Sequence, residues 1–464
     1  MAKAESVFKK VLGRITPGES ERRKTEKVLH KINSATEKVI HSKKIGYTLA
    51  GSYLRDTWLP DKKEFDIFLL FPASVSRTKL EKEGIDTGRR IVKLLGGKHE
   101  TAYAEHPYIR ATVEGYAVDI VPCYDIKEPG KIKSAVDRTP HHNRYITKKI
   151  TPRLSSEVRL MKQFCKGAGV YGSDLRVGGF SGYLCELLVI HYGRFKNVLL
   201  EASKWVAGNA FVDPEGHFSG DTRKFSNQPL VVIDPVDPKR NVAAALSPAN
   251  FELFRHSCIK FLKSPSESFF SLSRRNLPLK TLLRVFRKRG TKMIAVSFRR
   301  PEVVDDILFP QLRKTARRIA AVLEDADFRV YGHGVWCDER RCVIMLEMET
   351  WELPDVRKLV GPPVFSAKHS SEFRKKYEGR SRIWVEGYCW VAETSRRFRR
   401  ADALLRDVLS CSVKRLRSHG IASYVADAVS GGFAISADEN VIRKAGKNSD
   451  FSLFLAGYFK KKII

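Results

Sequence analysis

Apolar and polar positions divide the chain into stretches of helical and strand periodicity. Val28, Ile32, Ala35 and Val39 recur at helical spacing behind Thr16-Pro17-Gly18-Glu19, a capping-box pattern with proline at the first helical position. This predicts a helix lying against a sheet. Ile45 to Ala50 reads as a short strand, Gly51-Ser52 as a turn, and Tyr53 to Trp58 as the first turns of a helix. Glu64 to Phe71 and Ala117 to Pro122 read as further strands, each an apolar run carrying acids. From about Ser155 to Trp205 the period is helical, with Leu184, Leu187, Leu188, Val198 and Leu199 as core candidates, followed by loops rich in Pro, Asp and Asn. Beyond Pro265, a strand at Met293 to Phe298, a helix at Gln311 to Leu323 and a hairpin at Phe328 to Glu347 follow in the order strand, helix, strand, strand. That order suggests an RRM-like or ferredoxin-like sheet.

The chain is therefore expected to be α+β, and 464 residues suit about three domains. The expected parts are a mixed sheet with flanking helices over 1–150, a central helical domain over 151–264, and a C-terminal RRM-like body with a tail over 265–464. No sequence repeat or low-complexity segment is visible.

Charge sharpens the picture. Lys and Arg number 84 against 52 Asp and Glu, a net charge of +32. An excess of that size favours a polyanion through counterion release. The RNP1 signature of a base-reading RRM is absent, so recognition of backbone and shape is expected. Gly361 to Val364, Arg374 to Lys376 and Arg396-Arg-Phe-Arg-Arg400 form a basic tract with interspersed aromatics. A charge run is more often a solvated face, but in so basic a chain it is a candidate surface for a polyanion, and composition does not say which.

No apolar run of about 18 residues occurs, and the first residues lack the apolar core of a signal peptide, so a cytoplasmic protein is expected. Of eight cysteines, Cys123, Cys165, Cys185 and Cys258 lie in apolar contexts typical of buried free thiols. Cys337 and Cys342, with His333 nearby, raise zinc, but no second ligand pair accompanies them. The end, Phe451 to Ile464, joins apolar residues to Lys460 to Lys462 and is expected to dock on its neighbour or on a second subunit; a homodimer is expected.

The candidate chemistry lies in Gly51-Ser52, Glu64-Phe65-Asp66 and Asp119. Strand side chains alternate, so Glu64 and Asp66 share a face while Phe65 and Ile67 point inward. If the Asp119 strand pairs beside them, three carboxylates form an oxygen-only ligand set of the kind hard cations such as Mg²⁺ prefer. Two such ions clamp the attacking and leaving oxygens of nucleotidyl transfer. Gly51 lets backbone approach a triphosphate, Ser52 and the amides of the expected helix offer donors, and Arg55 would share their helical face. An acid inside an apolar strand, such as Asp119, is costly to bury without a partner or a metal.

Several segments together resemble a known family: Gly51-Ser-Tyr-Leu-Arg-Asp-Thr-Trp58, Glu64-Phe-Asp-Ile-Phe-Leu-Leu-Phe71, Ala104-Glu-His-Pro-Tyr108, Val118-Asp-Ile-Val-Pro-Cys-Tyr124 and Ser134-Ala-Val-Asp-Arg-Thr-Pro140. So do Glu157-Val-Arg-Leu-Met-Lys162, Gly179-Phe-Ser-Gly-Tyr-Leu-Cys-Glu-Leu187 and Asp234-Pro-Val-Asp-Pro-Lys-Arg-Asn-Val-Ala243. In order and spacing they are similar to the archaeal, class I CCA-adding enzymes, the tRNA nucleotidyltransferases that build or repair the 3′-terminal CCA. The dense match covers roughly residues 45 to 245; the remainder matches more diffusely.

The resemblance implies a nucleotidyltransferase palm, a tRNA partner, CTP and ATP as substrates, and metal ligation by Glu64, Asp66 and Asp119. It implies that Gly51, Ser52, Arg55, His142, Lys162 and Tyr171 touch the nucleoside triphosphate. Arg240 would select the base, because a guanidinium donates to cytosine N3 and O2 or to adenine N1, with a tRNA phosphate accepting from the exocyclic amine. One departure is visible: Gly178 stands where the family pattern has Arg. A poly(A) polymerase would share the palm, and an RNA-binding protein with a dead palm is the non-enzyme alternative. The segments at Ser134 to Pro140 and Asp234 to Ala243, and the presence of all three acids, point to the CCA enzymes.

Overall fold

A computed structural model describes residues 2–41, 43–103, 106–271 and 277–459. Lys460 to Lys462, Ala104 and Glu105 lie outside them. The chain divides into two compact units between Ser273 and Arg274.

The first unit holds α1 (Ala2–Ile15), α2 (Glu19–Ile40), β1 (Gly46–Ala50), β2 (Glu64–Phe71), α3 (Arg77–Leu94), β3 (Lys98–Tyr103), β4 (Pro107–Val113), β5 (Tyr116–Tyr124) and α4 (Arg138–Lys149). It continues with α5 (Pro152–Ala168), α6 (Gly182–Tyr192), α7 (Phe195–Ala202), β6 (Ala210–Val212), β7 (Leu230–Val232) and α8 (Pro248–Lys263). The first five strands form one mixed sheet in the order β1-β2-β5-β4-β3, in which only β2 and β5 run parallel. Phe65, Ile67, Leu69 and Phe71 alternate onto one face and are at most 2% exposed, packing with Val28 and Ile32 of α2 and Ile91 and Val92 of α3. On the opposite face of β2, Glu64 is exposed and Asp66 partly buried.

The α2 start differs from expectation. The cap is Gly18, extended and without a side-chain cap bond, so the Thr16 to Glu19 pattern does not form a capping box. A second core gathers α5 to α8 around Phe164, Leu187, Phe195, Phe254 and Phe261, and α1 joins it through Val7, Phe8 and Val11.

The second unit holds α9 (Leu279–Arg289), β8 (Lys292–Arg299), α10 (Asp305–Glu324), β9 (Arg329–Cys337), β10 (Arg341–Thr350), β11 (Val356–Pro363), α11 (Ala367–Tyr377), β12 (Arg382–Glu386) and β13 (Cys389–Ser395). It ends with α12 (Ala401–Leu409), α13 (Val413–Ser418), α14 (Ser423–Ser430), β14 (Phe433–Ala437), α15 (Glu439–Ala445) and α16 (Ser449–Phe459). Strand order β14-β8-β10-β9, antiparallel throughout, is the ferredoxin-like arrangement that the strand–helix–strand–strand reading anticipates. Between its third and fourth strands sits a three-stranded sheet, β11-β13-β12, carrying α11.

Both faces of the four-stranded sheet are covered. Ile294, Val296 and Ile344 pack with α10, α12 and α14, while Met293, Trp336 and Met345 pack with Leu282, Phe286, Val441, Phe451 and Leu455. The apolar part of the end segment docks on its own unit through Phe451, Leu455 and Ala456. Among the described residues no helix is long and apolar enough to cross a membrane.

Candidate active site

Register brings the acids together. In the parallel pair β2–β5, Asp66 lies directly opposite Asp119, and residues opposite each other share a sheet face. Glu64, two residues before Asp66, shares it too. On the other side Ala50 of β1 pairs with Asp66, so the chain turns at Gly51 beside that carboxylate. Gly51 has φ +106°, and a Cβ there would come within 3.2 Å of Asp66 Oδ2; any side chain would be strained and would crowd the acid.

Burial, and after it the charges of Asp119 and Glu64, push the Asp66 carboxyl up to about 6. Asp119 is partly neutralised by Arg110, whose Nε and Nη2 each lie 3.1 Å from its oxygens, and Glu64 lies 2.7 Å from Lys62. Among the described residues, no group of three or more His, Cys, Asp or Glu side chains is drawn in as a metal cage.

Tyr53 to Trp58 corrects the expectation of a helix. The chain makes successive turns there, closed by Asp56 N–H to the Tyr53 carbonyl (3.0 Å) and Thr57 N–H to the Ser52 carbonyl (2.9 Å), with Asp56 at φ +50°. Ser52 therefore opens no helix, and Arg55 shares no helical face with it. Arg22 and the buried Arg159 both pair with Asp56, which fixes the loop against α2 and α5.

Arg55 turns toward α6 instead. Its Nη2 lies 3.0 Å from Glu186 Oε2, and its Nη1 donates to Asn143 Oδ1. Glu186 is completely buried and also accepts from Lys162 Nζ (3.1 Å) and the Thr57 hydroxyl (2.6 Å). Burial alone would raise the Glu186 carboxyl; the charges of Lys162 and Arg55 outweigh it and bring it to about 2. Lys162 sits on α5 but is buried rather than presented on a surface, and that burial pulls its amine downward. Tyr171 meets the same spot, since a Cβ on Gly182 would lie 3.3 Å from its hydroxyl and 3.8 Å from Lys162 Nζ.

Removing one partner of a buried ion cluster leaves uncompensated charge, at a cost of about 3–5 kcal/mol. Glu186→Gln is therefore expected to lower unfolding stability by about that much at neutral pH, read from urea denaturation; a loss below about 1 kcal/mol would contradict the counter-ion role. The pH dependence has a definite sign. A carboxyl held at about 2 rather than its ordinary 4.5 contributes stability above the ordinary value and loses it as pH falls toward about 2. The variant should lack that acid-side decline.

A third group lies between α4, α6 and the loop after β7. His142 Nε2 and Arg240 Nη1 each lie 2.8 Å from Asp234 Oδ2. The His142 ring stacks on Tyr183, with centroids 4.1 Å apart, and the Tyr183 hydroxyl donates to Asp234 Oδ1 at 3.2 Å. Gly178, the departure from the family pattern, has φ +62° and its N–H bonds to the Asp174 carbonyl at 2.8 Å, a turn in which a side chain would be strained.

The structure thus gathers Glu64, Asp66 and Asp119 on one face, Arg55, Lys162 and Tyr171 around α6, and His142 with Arg240 on one carboxylate. Ser52 is placed at the turn through its carbonyl alone. Glu186, Asp234, Tyr183, Asn143 and Arg110 received no role from sequence. Glu186 carried a signal nonetheless: an acid between Cys185 and Leu187 in an apolar helix is rarely buried without partners. Zinc at Cys337 and Cys342 is replaced by a disulfide, because the β9–β10 register sets the two directly opposite each other. Cys123, Cys165, Cys185 and Cys258 are buried free thiols as expected.

A five-stranded sheet with paired acids behind a glycine turn defines a nucleotidyltransferase, and the nucleotidyltransferase domain family matches residues 29–142. The second domain of tRNA nucleotidyltransferases matches 156–271, and the C-terminal domain of CCA-adding enzymes matches 289–438. The chain is 39% identical over 457 residues to a CCA-adding enzyme of Methanosarcina acetivorans, covering 96% of each. It is 40% identical over 400 residues to that of Methanothermobacter thermautotrophicus, 86% of each, and 37% identical over 442 residues to that of Halobacterium salinarum, 92% of this chain and 96% of the relative. The chain belongs to the CCA-adding enzymes and is a nucleotidyltransferase acting in tRNA processing.

Proposed function

We propose that the enzyme adds CMP, CMP and AMP to the tRNA 3′ end from CTP and ATP, without a nucleic-acid template and with release of pyrophosphate. The observation that carries this reading is the β2–β5 register, which sets Asp66 against Asp119 with Glu64 on the same face and Gly51 at its edge.

The donor set fits Mg²⁺. Three carboxylates lie on one face of the sheet, and Asp66 is pushed up by burial and, after it, by the charges of Asp119 and Glu64. Glu64, Asp66 and Asp119 would hold two ions, which supply activation of the attacking 3′-hydroxyl and neutralisation of the departing pyrophosphate. Lys62, in a half-exposed pair worth about 0–1 kcal/mol, would give way at little cost, whereas Arg110 holds Asp119 by two bonds and would have to swing aside.

Gly51, Ser52, Arg55, His142, Lys162 and Tyr171 are assigned to the triphosphate, and Arg240 to the base. Residues 1–150 would carry the chemistry, 151–264 would close over the nucleotide and 265–464 would hold the acceptor stem and elbow of tRNA. A homodimer in the cytoplasm is the proposed setting. Incubating tRNA that lacks its CCA with CTP, ATP and Mg²⁺, then sequencing the product, tests the assignment. Addition of C, C and A supports it, whereas a run of A indicates a poly(A) polymerase and no extension a dead palm.

Neutralising Arg396, Arg397, Arg399 and Arg400 together is expected to weaken tRNA binding and flatten its salt dependence, with short 3′-end mimics affected less. Every phosphate that an arginine no longer neutralises lowers the log–log slope by about 0.9 at most, or about 0.7 on single strands. Arg396, Arg397 and Arg400 already pair with Asp327, Asp407 and Asp402, so the fall should be smaller than four unpaired arginines would give. An unchanged slope would make the run a solvated face.

A further inference from the structure

We infer that Asp234 is the positioning residue that locks the base-reading Arg240 and the phosphate-side His142 into one rigid unit, and so sets nucleotide selectivity without touching the base itself. This rests on Arg240 being the residue that reads the base.

A carboxylate offers about four lone-pair sites. At Asp234 four protein donors use them: Arg240 Nη1 and His142 Nε2 at Oδ2, both 2.8 Å, and Tyr183 Oη (3.2 Å) and the Val236 N–H (3.0 Å) at Oδ1. Its side chain is completely buried. It has no acceptor capacity left for an exocyclic amine, which excludes direct reading of cytosine or adenine by this acid.

What it does is fix its neighbours. The Asp234 N–H donates to the Arg240 carbonyl at 3.1 Å, so the carbonyl and the guanidinium of Arg240 are both tied to Asp234, while the Arg240 N–H donates to the Asp237 carbonyl at 2.9 Å. Asp237 in turn accepts from Arg138 Nε at 3.0 Å, a second tie to α4, one turn before His142. Tyr183 closes the unit from α6 by stacking on His142 while donating to the same carboxylate. Arg240 remains about one-third exposed, with its guanidinium held at one nitrogen by the buried acid. That bond, together with the tie of the Arg240 carbonyl to the same residue, narrows the directions in which its remaining N–H groups can point, which is what discrimination between bases requires.

Asp234→Asn places an amide donor where two donors converge and should release Arg240. The test measures kcat/KM for CTP, ATP, UTP and GTP on tRNA ending before the first C and before the terminal A. The proteins are wild type, Asp234→Asn, Arg240→Ala and the double variant. The expected result is about a tenfold loss of preference for the correct nucleotide in Asp234→Asn, with no further loss in the double variant beyond Arg240→Ala.

If Asp234→Asn fails to fold, Tyr183→Phe serves in the same cycle. It removes one donor to the acid and should give about a two- to threefold loss that vanishes in the Arg240→Ala background. Losses that multiply in the double variant, or an Asp234→Asn enzyme with undiminished preference, would overturn the inference while leaving Arg240 as the base reader. An Arg240→Ala enzyme with intact selectivity would overturn both.

Discussion

Asp66→Asn or Asp119→Asn is expected to abolish incorporation of both CMP and AMP while tRNA affinity stays nearly intact. The substitution keeps size and shape, so what it removes is a charged oxygen from the face shared by β2 and β5. Metal clamping of a transferring phosphoryl group is worth several kcal/mol and each ~1.4 kcal/mol is a factor of ten, so the loss should be about a thousandfold or more.

Stability should move the other way for Asp66. Its carboxyl is raised to about 6, so the charged form is disfavoured in the folded chain at neutral pH, and a neutral amide removes that penalty. An Asp66→Asn protein that is inactive yet no less stable than wild type would carry the signature of a functional charge cluster. Near-normal rates in either variant would make the ligand assignment wrong.

Arg240→Ala separates base selection from chemistry. It leaves the carboxylates and the Arg55–Glu186–Lys162 cluster in place but removes the donor proposed for cytosine N3 and O2 and for adenine N1. Charge-assisted bonds of this kind are worth roughly 1.5–3 kcal/mol, about one to two orders of magnitude in discrimination against UTP and GTP. kcat/KM for four triphosphates on three tRNA ends reads the effect. An equal loss for every nucleotide would move Arg240 to a phosphate-binding or structural role.

Part of the palm is legible in the sequence because β2 and β5 are apolar runs interrupted by acids. The bounds of β2, Glu64 to Phe71, follow from its apolar run behind two acids, whereas the pairing of Asp119 with Asp66 is only a condition in the sequence and is supplied by the β2–β5 register. The loop after Gly51 reads as a helix and is not one. Tyr53 to Trp58 contains acceptable helix formers, but Asp56 takes a positive φ and is held there by tertiary partners, Arg22 and Arg159, as well as by the turn's own bonds. Local propensity carries no record of those partners.

The same holds for Glu186. Its partners Arg55, Thr57 and Lys162 come from the Gly51 loop and from α5, so only the fold assembles the cluster. In the second unit the order strand, helix, strand, strand is visible, whereas the closing strand β14 and the helices that cover the far face are not. Cys337 and Cys342 illustrate the missing ingredient: their spacing fits a metal site, and only the cross-strand register turns them into a disulfide.

The most direct test of the central claim is a titration of the intact enzyme with Mn²⁺, a spectroscopic substitute for Mg²⁺, in the presence of CTP and followed by electron paramagnetic resonance. Wild type should bind the ion at the nucleotide site, and Asp66→Asn and Asp119→Asn should each weaken it strongly while the folded protein remains intact. Equal Mn²⁺ binding by all three proteins would contradict the assignment of Glu64, Asp66 and Asp119 as the metal-holding face.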